Sequence, residues 1–373
     1  MFYQNHILLL MGICALMLVS CSGIYEVFQP AGTGGLGDAS LPTIDANPAM
    51  QFTNEPVLMP SDLPPTGPPV IDVENSIRVA EMDVIEVDHP YKIKWAADGK
   101  TIAVQTTDGI QLFDVETLQS TSSIAIGAGM ILDYSMNANL MAVTKDQQNI
   151  ELRSVVDGQL LRTLSPQGLS LGASFSPDGR YLAVASGETI AVTIWDTATG
   201  QNLSTLSGFE TAAPVYSAGF ASDCTHIIWQ SRATLQLMDV TTRQFGEVLS
   251  HEEFVAGVSL SPDGKTLASG AAATINMDYR GIVQLWDAMK GNPLGILVTG
   301  DSIAQSVDFS PDGSILAAGA GNILYLWDVE KQLELTKRLD HFESITCIAF
   351  SPDGTVLATA GADNTVRLYE SHW

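Results

Sequence analysis

One five-residue string keeps returning in this chain, and it constrains the fold more than any other feature. Phe-Ser-Pro-Asp-Gly stands at 175–179, 309–313 and 350–354, and Leu-Ser-Pro-Asp-Gly at 260–264. Weaker copies are Trp95-Ala96-Ala97-Asp98-Gly99, Tyr134-Ser135-Met136-Asn137-Ala138 and Phe220-Ala221-Ser222-Asp223-Cys224. The copies start at 95, 134, 175, 220, 260, 309 and 350, a spacing of about 40 to 49 residues that suits propeller blades. In each copy an apolar strand ends at the aromatic, as in Ile345-Thr346-Cys347-Ile348-Ala349-Phe350. Pro-Asp-Gly then turns the chain: Pro presets φ and Gly supplies the positive φ that other residues resist. A second apolar strand follows, and about ten residues later a third. The third ends in an aromatic or apolar residue and usually Asp: Phe113-Asp114, Trp195-Asp196, Met238-Asp239, Trp286-Asp287, Trp327-Asp328 and Tyr369-Glu370. A more polar fourth strand completes most repeats. Four short antiparallel strands cannot bury both faces alone, but stacked radially they can.

With "TIWD" at 193–196, "QLWD" at 284–287 and "YLWD" at 324–327, the chain resembles the WD-repeat family over about residues 77–373. Repeats 3, 5, 6 and 7 carry the resemblance specifically. Repeats 2 and 4 are degenerate, repeat 2 ending Leu152-Arg153-Ser154. TolB-like propellers share the Ser-Pro-Asp-Gly turn, but the third-strand Trp-Asp favours the WD type. The resemblance implies an all-β, seven-bladed β-propeller of four-stranded antiparallel blades, in one domain spanning 76–373. It implies that Ile77–Met82 pairs with the last blade and closes the ring. It also implies a structural His, Ser/Thr, Asp and Trp tetrad. Repeat 7 matches with His341, Thr359 and Asp363, and with Tyr369 in the Trp position. Repeat 5 offers His251, Ser269 and Trp286, with Asp278 inside an insertion as its nearest turn Asp.

The N-terminus carries a different signal. Residues 1–20 hold no Lys, Arg, Asp or Glu, and Ile7–Val19 is almost wholly apolar. That length fits a secretory signal better than a spanning helix. Leu18-Val19-Ser20-Cys21 resembles a bacterial lipobox. By that resemblance 1–20 is a lipoprotein signal peptide, and the Cys21 thiol takes a diacylglycerol as a thioether. One departure stands out: the leading MFYQNH segment lacks Lys and Arg. Ser22 rather than Asp follows the cysteine, which in a diderm bacterium would suit outer-membrane sorting. Residues 21–75 then read as an acidic Pro/Gly-rich tether with nine of the seventeen prolines. As a flexible coil it reaches on the order of 40 Å, and as polyproline roughly 160 Å. Either length lifts a domain off a membrane. The expected address is extracytoplasmic, on an outer membrane or the outer leaflet of a cell membrane.

Lys plus Arg number 17 against 42 Asp plus Glu, a net charge of −25. Such a field repels phosphate backbones and excludes general nucleic-acid binding. Gly168-Leu169-Ser170-Leu171-Gly172 matches a nucleophile elbow but leads into a strand, without the strand–turn–helix context the chemistry needs. Gly32-Thr33-Gly34-Gly35-Leu36-Gly37 lies in the tether with no βαβ unit. The six histidines lack zinc spacing. Asp83, Glu86 and Asp88 cluster near the closing strand, where calcium is a minor alternative; no metal site is expected. No catalytic set and no cofactor are expected. Cys224 and Cys347 read as small buried residues in different blades.

The most unusual connection is in repeat 5, where about seven extra residues fall within 271–281. Tyr279 and Arg280, residue types common at binding hot spots, lie there. Loops leading into first strands share this top face in WD propellers and carry Phe209, Phe254 and Phe342. The expected function is an interaction scaffold: a membrane-tethered WD-repeat lipoprotein that engages an extracytoplasmic protein through the top face. The alternative is a small molecule or glycan bound in the central funnel, or enzymatic activity there, although no convergent basic group is visible by spacing.

Overall fold

The computed structural model describes residues 79–371, apart from 128, 147, 167, 169, 187–190, 208–216, 222–225, 241, 243 and 276. Cys21, the signal, the tether with its glycine motif, Phe209 and Cys224 lie outside the described residues. Every regular element among the described residues is a strand. The strands form seven four-stranded antiparallel sheets. Blades 1 to 6 cover 92–125, 130–164, 170–206, 217–250, 257–300 and 304–338 in unbroken chain order. Blade 7 takes three strands from 345–371 and its fourth from Val79–Glu86. First strands of neighbouring blades pack together, as Ala304–Phe309 does with Ile345–Phe350, and so form the inner ring. The chain is therefore an all-β, seven-bladed propeller.

No blade holds a core of its own. The buried apolar residues fall into seven clusters, and each one straddles a seam between two blades. Ile110, Leu112 and Ile124 of blade 1 meet Ile131, Tyr134 and Met141 of blade 2. Val192 and Ile194 of blade 3 meet Ile227 and Trp229 of blade 4. A strand apolar on both faces makes sense only in such a stack, where each face has its own neighbour.

The recurring turn is built by two side chains. In blade 3 the Ser176 hydroxyl donates to Asp178 Oδ1 at 2.5 Å and accepts from the Tyr181 N–H at 2.9 Å. Asp178 Oδ1 also accepts the Arg180 N–H at 3.0 Å, and Gly179 takes φ +70°. Ser261 with Asp263, Ser310 with Asp312 and Ser351 with Asp353 repeat the arrangement at 2.6–2.7 Å. Each of these serines is buried, so a partner for its hydroxyl is needed. The Asp after the third strand works similarly: Asp114, Asp196, Asp239, Asp287 and Asp328 each accept the N–H of the residue three positions on, at 2.7–3.0 Å. Blade 2 has Ser154 there instead, which accepts the N–H groups of Val156 and Asp157 at 3.2 and 3.3 Å.

Ring closure follows the register Val79↔Ser371 to Glu86↔Thr365, with a slip between Glu81 and Asp83. Ile77 and Arg78 of the expected Ile77–Met82 strand lie outside the described residues, and the described strand runs past Met82 to Glu86. The reason is packing: Ile85 and Val87 are buried in the blade 7–blade 1 core with Ile93, Ile102 and Val366, while Val84 and Glu86 face outward. An Arg367–Glu81 ion pair crosses the same junction. Ile85→Ala should therefore lower unfolding free energy by about 2–5 kcal/mol, read from the urea midpoint by tryptophan fluorescence. Val84→Ala, on the outward face of the same strand, should stay within about 0.5 kcal/mol.

Candidate functional site

Antiparallel order puts the first-to-second and third-to-fourth turns on one face of the ring. The second-to-third turns and the loops leading into the next blade share the other. The structural tetrad and the repeat 5 insertion both belong to this second face.

In blade 7, His341 Nε2 lies 2.7 Å from Thr359 Oγ1 and its Nδ1 lies 3.0 Å from Asp363 Oδ1. Asp363 Oδ2 accepts the Phe342 N–H at 2.9 Å, and Asp363 Oδ1 accepts the Thr365 hydroxyl at 2.7 Å. His341, Thr359 and Tyr369 are buried. Burial lowers the His341 pKa, opposed by the Asp363 carboxylate, and burial pushes the Tyr369 hydroxyl well up. Blade 5 keeps three members: His251 Nε2 lies 2.9 Å from Ser269 Oγ, which also accepts the Trp286 indole N–H at 2.8 Å. Asp278 is at the hairpin tip, 3.3 Å from Arg280, and takes no part. Without that carboxylate, burial alone holds His251 at about 4. Blade 3 has Val184 in the hydroxyl position, and Trp195 donates instead to Thr193 Oγ1 at 2.9 Å. These groups fix loops to strands. Thr359→Val removes the partner of a buried imidazole nitrogen and should cost about 1–3 kcal/mol by chemical denaturation.

The blade 5 insertion is an extension of two strands. Thr266–Ile275 and Asp278–Asp287 pair without interruption to Ile275↔Asp278, ten residues each where blade 3 uses six. At the tip Met277 has φ +68° and is 96% exposed, and Tyr279 is half exposed. Arg280 is held by Asp301 at 2.5 Å and by Asp278. At the base, a Cβ on Gly281 would lie 1.8 Å from the Ser302 carbonyl oxygen, so only glycine allows the hairpin to pass under that loop. The loop leading into blade 5 meets the hairpin where the Thr274 N–H donates to Glu252 Oε2 at 3.3 Å. Phe254 in this loop is half-buried. Phe342 is 85% exposed beside the Arg367 guanidinium, with blade 6 between it and the hairpin. Tyr279, Arg280 and Phe254 thus gather on blade 5, and Phe342 stands apart on blade 7. Ser170 of the elbow-like motif opens the first strand of blade 3, with no helix behind it. Among the described residues no three or more His, Cys, Asp or Glu gather as a metal set, Asp83, Glu86 and Asp88 included.

The inner ring holds what spacing did not reveal. Asp133 in blade 2 accepts Lys92 Nζ at 2.6 Å, Lys94 Nζ at 3.0 Å and the Phe175 N–H at 2.8 Å. The first-strand position just before the turn aromatic carries Lys94 in blade 1 and Asp133 in blade 2, which is the signal that a blade-by-blade alignment exposes. Burial raises the Asp133 pKa, but the two ammoniums together hold it below the usual value. Burial lowers Lys94, against the attraction of Asp133. Asp308 is the same position in blade 6. It accepts the Phe350 N–H at 2.9 Å and the Ser259 hydroxyl at 3.4 Å, and among the described residues no cation pairs with it. Burial therefore pushes Asp308 from 3.8 to about 7.

That contrast has a sign. A carboxyl raised in the folded state stabilises it fully below pH 3.8, and the contribution is lost as pH climbs through about 7. Asp308→Asn, a neutral mimic, should remove this decline. The variant should match the parent at pH 4 and exceed its melting temperature at pH 8, in a pH series of thermal melts.

Comparison with known proteins fits the geometry. The family profile described as "WD domain, G-beta repeat" matches residues 243–287, 291–328 and 333–370. Each match closes at the end of a third strand, at Asp287, Asp328 or Glu370. A Synechocystis protein described as an uncharacterized WD repeat-containing protein is 30% identical over 135 residues, 35% of this chain and 38% of that protein. The small ribosomal subunit protein RACK1 of Caenorhabditis elegans is 31% identical over 87 residues, 23% of this chain and 24% of that protein. The chain thus spans well under half the length of either relative. Three segments of the chain thus match the WD40 repeat, and the described residues fold as a seven-bladed β-propeller.

Proposed function

We propose that this protein is an interaction scaffold outside the cytoplasm, tethered to the cell envelope by a lipid on Cys21, and that a protein partner docks on the face bearing the blade 5 hairpin. The observation that carries the reading is the hairpin itself. Ten-residue paired strands project an exposed Met277 and Tyr279, while Arg280 is fixed by two carboxylates. A rigid apolar and aromatic tip loses little conformational entropy on binding. WD40 repeats are in general non-enzymatic scaffolds, in line with this use. The RACK1 relative is named as a ribosomal subunit protein, but a net charge of −25 makes an RNA surface a poor partner for this chain. A cationic or neutral protein surface suits the field better.

The full chain in detergent, immobilised and exposed to an envelope extract, should retain a saturable protein partner. A Tyr279→Ala/Arg280→Ala variant should release it, while Phe342→Ala tests blade 7 separately. Retention by the hairpin variant would move the docking surface elsewhere. In parallel, Cys21→Ser should abolish incorporation of labelled palmitate and shift the chain from the membrane fraction to the soluble one. Unchanged fractionation would remove the lipid anchor from the reading.

A further inference from the structure

We propose that Lys92 and Lys94 form a binding site for a small oxyanion, a phosphate or a carboxylate, at the inner edge of the ring. Both ammoniums converge on one carboxylate, Asp133, which is 1% exposed. That carboxylate is already shared with the Phe175 N–H of the next blade. One negative charge cannot neutralise two positive ones, so the cluster carries a surplus cation in a protein whose net charge is −25.

The donor arithmetic agrees. Two ammoniums carry six N–H groups. Three have protein acceptors among the described residues: Lys92 to Asp133, Lys94 to Asp133 and Lys94 to the Tyr134 carbonyl. Lys94 keeps 32% of its side-chain surface open and Lys92 14%, so solvent and small solutes reach both. The corresponding positions of blades 3, 4, 5 and 7 are Ser174, Gly219, Ser259 and Ala349, which leaves the cluster beside small neighbours. The other titratable groups on the described inner strands are Tyr134, Asp308 and Cys347, and burial raises the pKa of each. Sealing the seam does not require the second lysine. Asp308 makes the same backbone bridge to its neighbouring blade with no cationic partner among the described residues. An oxyanion would supply the missing charge and accept charge-assisted hydrogen bonds from both lysines. The site lies on the inner strands, apart from the hairpin, and stands whether or not that face binds a partner.

The test is calorimetric titration of the full chain with inorganic phosphate and, separately, with acetate, at matched ionic strength. Saturable binding of at least one probe is expected. Lys94→Met leaves Lys92 and Asp133 as a balanced pair, so the fold should persist, and affinity should fall about tenfold. Asp133→Asn doubles the surplus charge and should tighten binding, an opposite change that a purely structural cluster would not give. Lys290→Met, which removes an exposed surface lysine, should change nothing. Preference for phosphate or for acetate assigns the ligand class. Absence of saturable binding with either probe would overturn the proposal. So would equal affinity in the parent and Lys94→Met, or an equal loss in Lys290→Met. If Asp133→Asn does not fold, the Lys94→Met result decides alone.

Discussion

Everything in this molecule depends on burial between blades. Each sheet is apolar on both faces, and each of the seven cores belongs to two blades at once. A blade by itself would expose two apolar faces, and an arc of six would leave two. The cooperative unit is therefore the closed ring, with the Val79–Glu86 strand as the piece that links blade 7 to blade 1. Hydrogen bonding along the strands sets shape, but burial at the seams makes closure favourable.

The aspartates that make up most of the acidic residues have a local explanation. Asp98, Asp178, Asp263, Asp312 and Asp353 hold the turns after first strands. Asp114, Asp196, Asp239, Asp287 and Asp328 hold the turns after third strands. A carboxylate that accepts backbone N–H groups satisfies donors a tight turn leaves unpaired. Repeating that device around the ring builds up negative charge with few bases to offset it. Ten of the 42 acidic residues thus record how the chain turns, and the effect of their charge on partners is a by-product.

These same devices made the fold legible. The Ser-Pro-Asp-Gly period marked seven repeats because each copy repeats a local hydrogen-bond pattern that short sequence encodes. Blade 2 shows how a degenerate copy still works, with Ser154 taking over from aspartate. The closing strand was legible in partner but not in extent, since its extension to Glu86 depends on a core assembled from residues almost 300 positions away. The blade 5 insertion was visible as extra length. That it continues two strands was not, because pairing out to Ile275 and Asp278 depends on cross-strand register and on the Gly281 passage. The Lys92, Lys94 and Asp133 cluster was invisible to spacing along the chain. Its members lie about 40 residues apart and meet only because adjacent first strands lie side by side.

The closing strand also gives the molecule a mechanical grain. Its Val79 end continues into the N-terminal segment, and it is held to Thr365–Ser371 by an antiparallel ladder, by the Arg367–Glu81 pair and by Ile85 in the seam core. Any tension on the N-terminal segment arrives at this ladder before it reaches another blade. The junction that completes the ring is thus also its first point of yield. A pull strong enough to peel the strand would strip one sheet of its outer edge and uncover the seam core behind it, turning force on the N-terminal segment into exposed apolar surface.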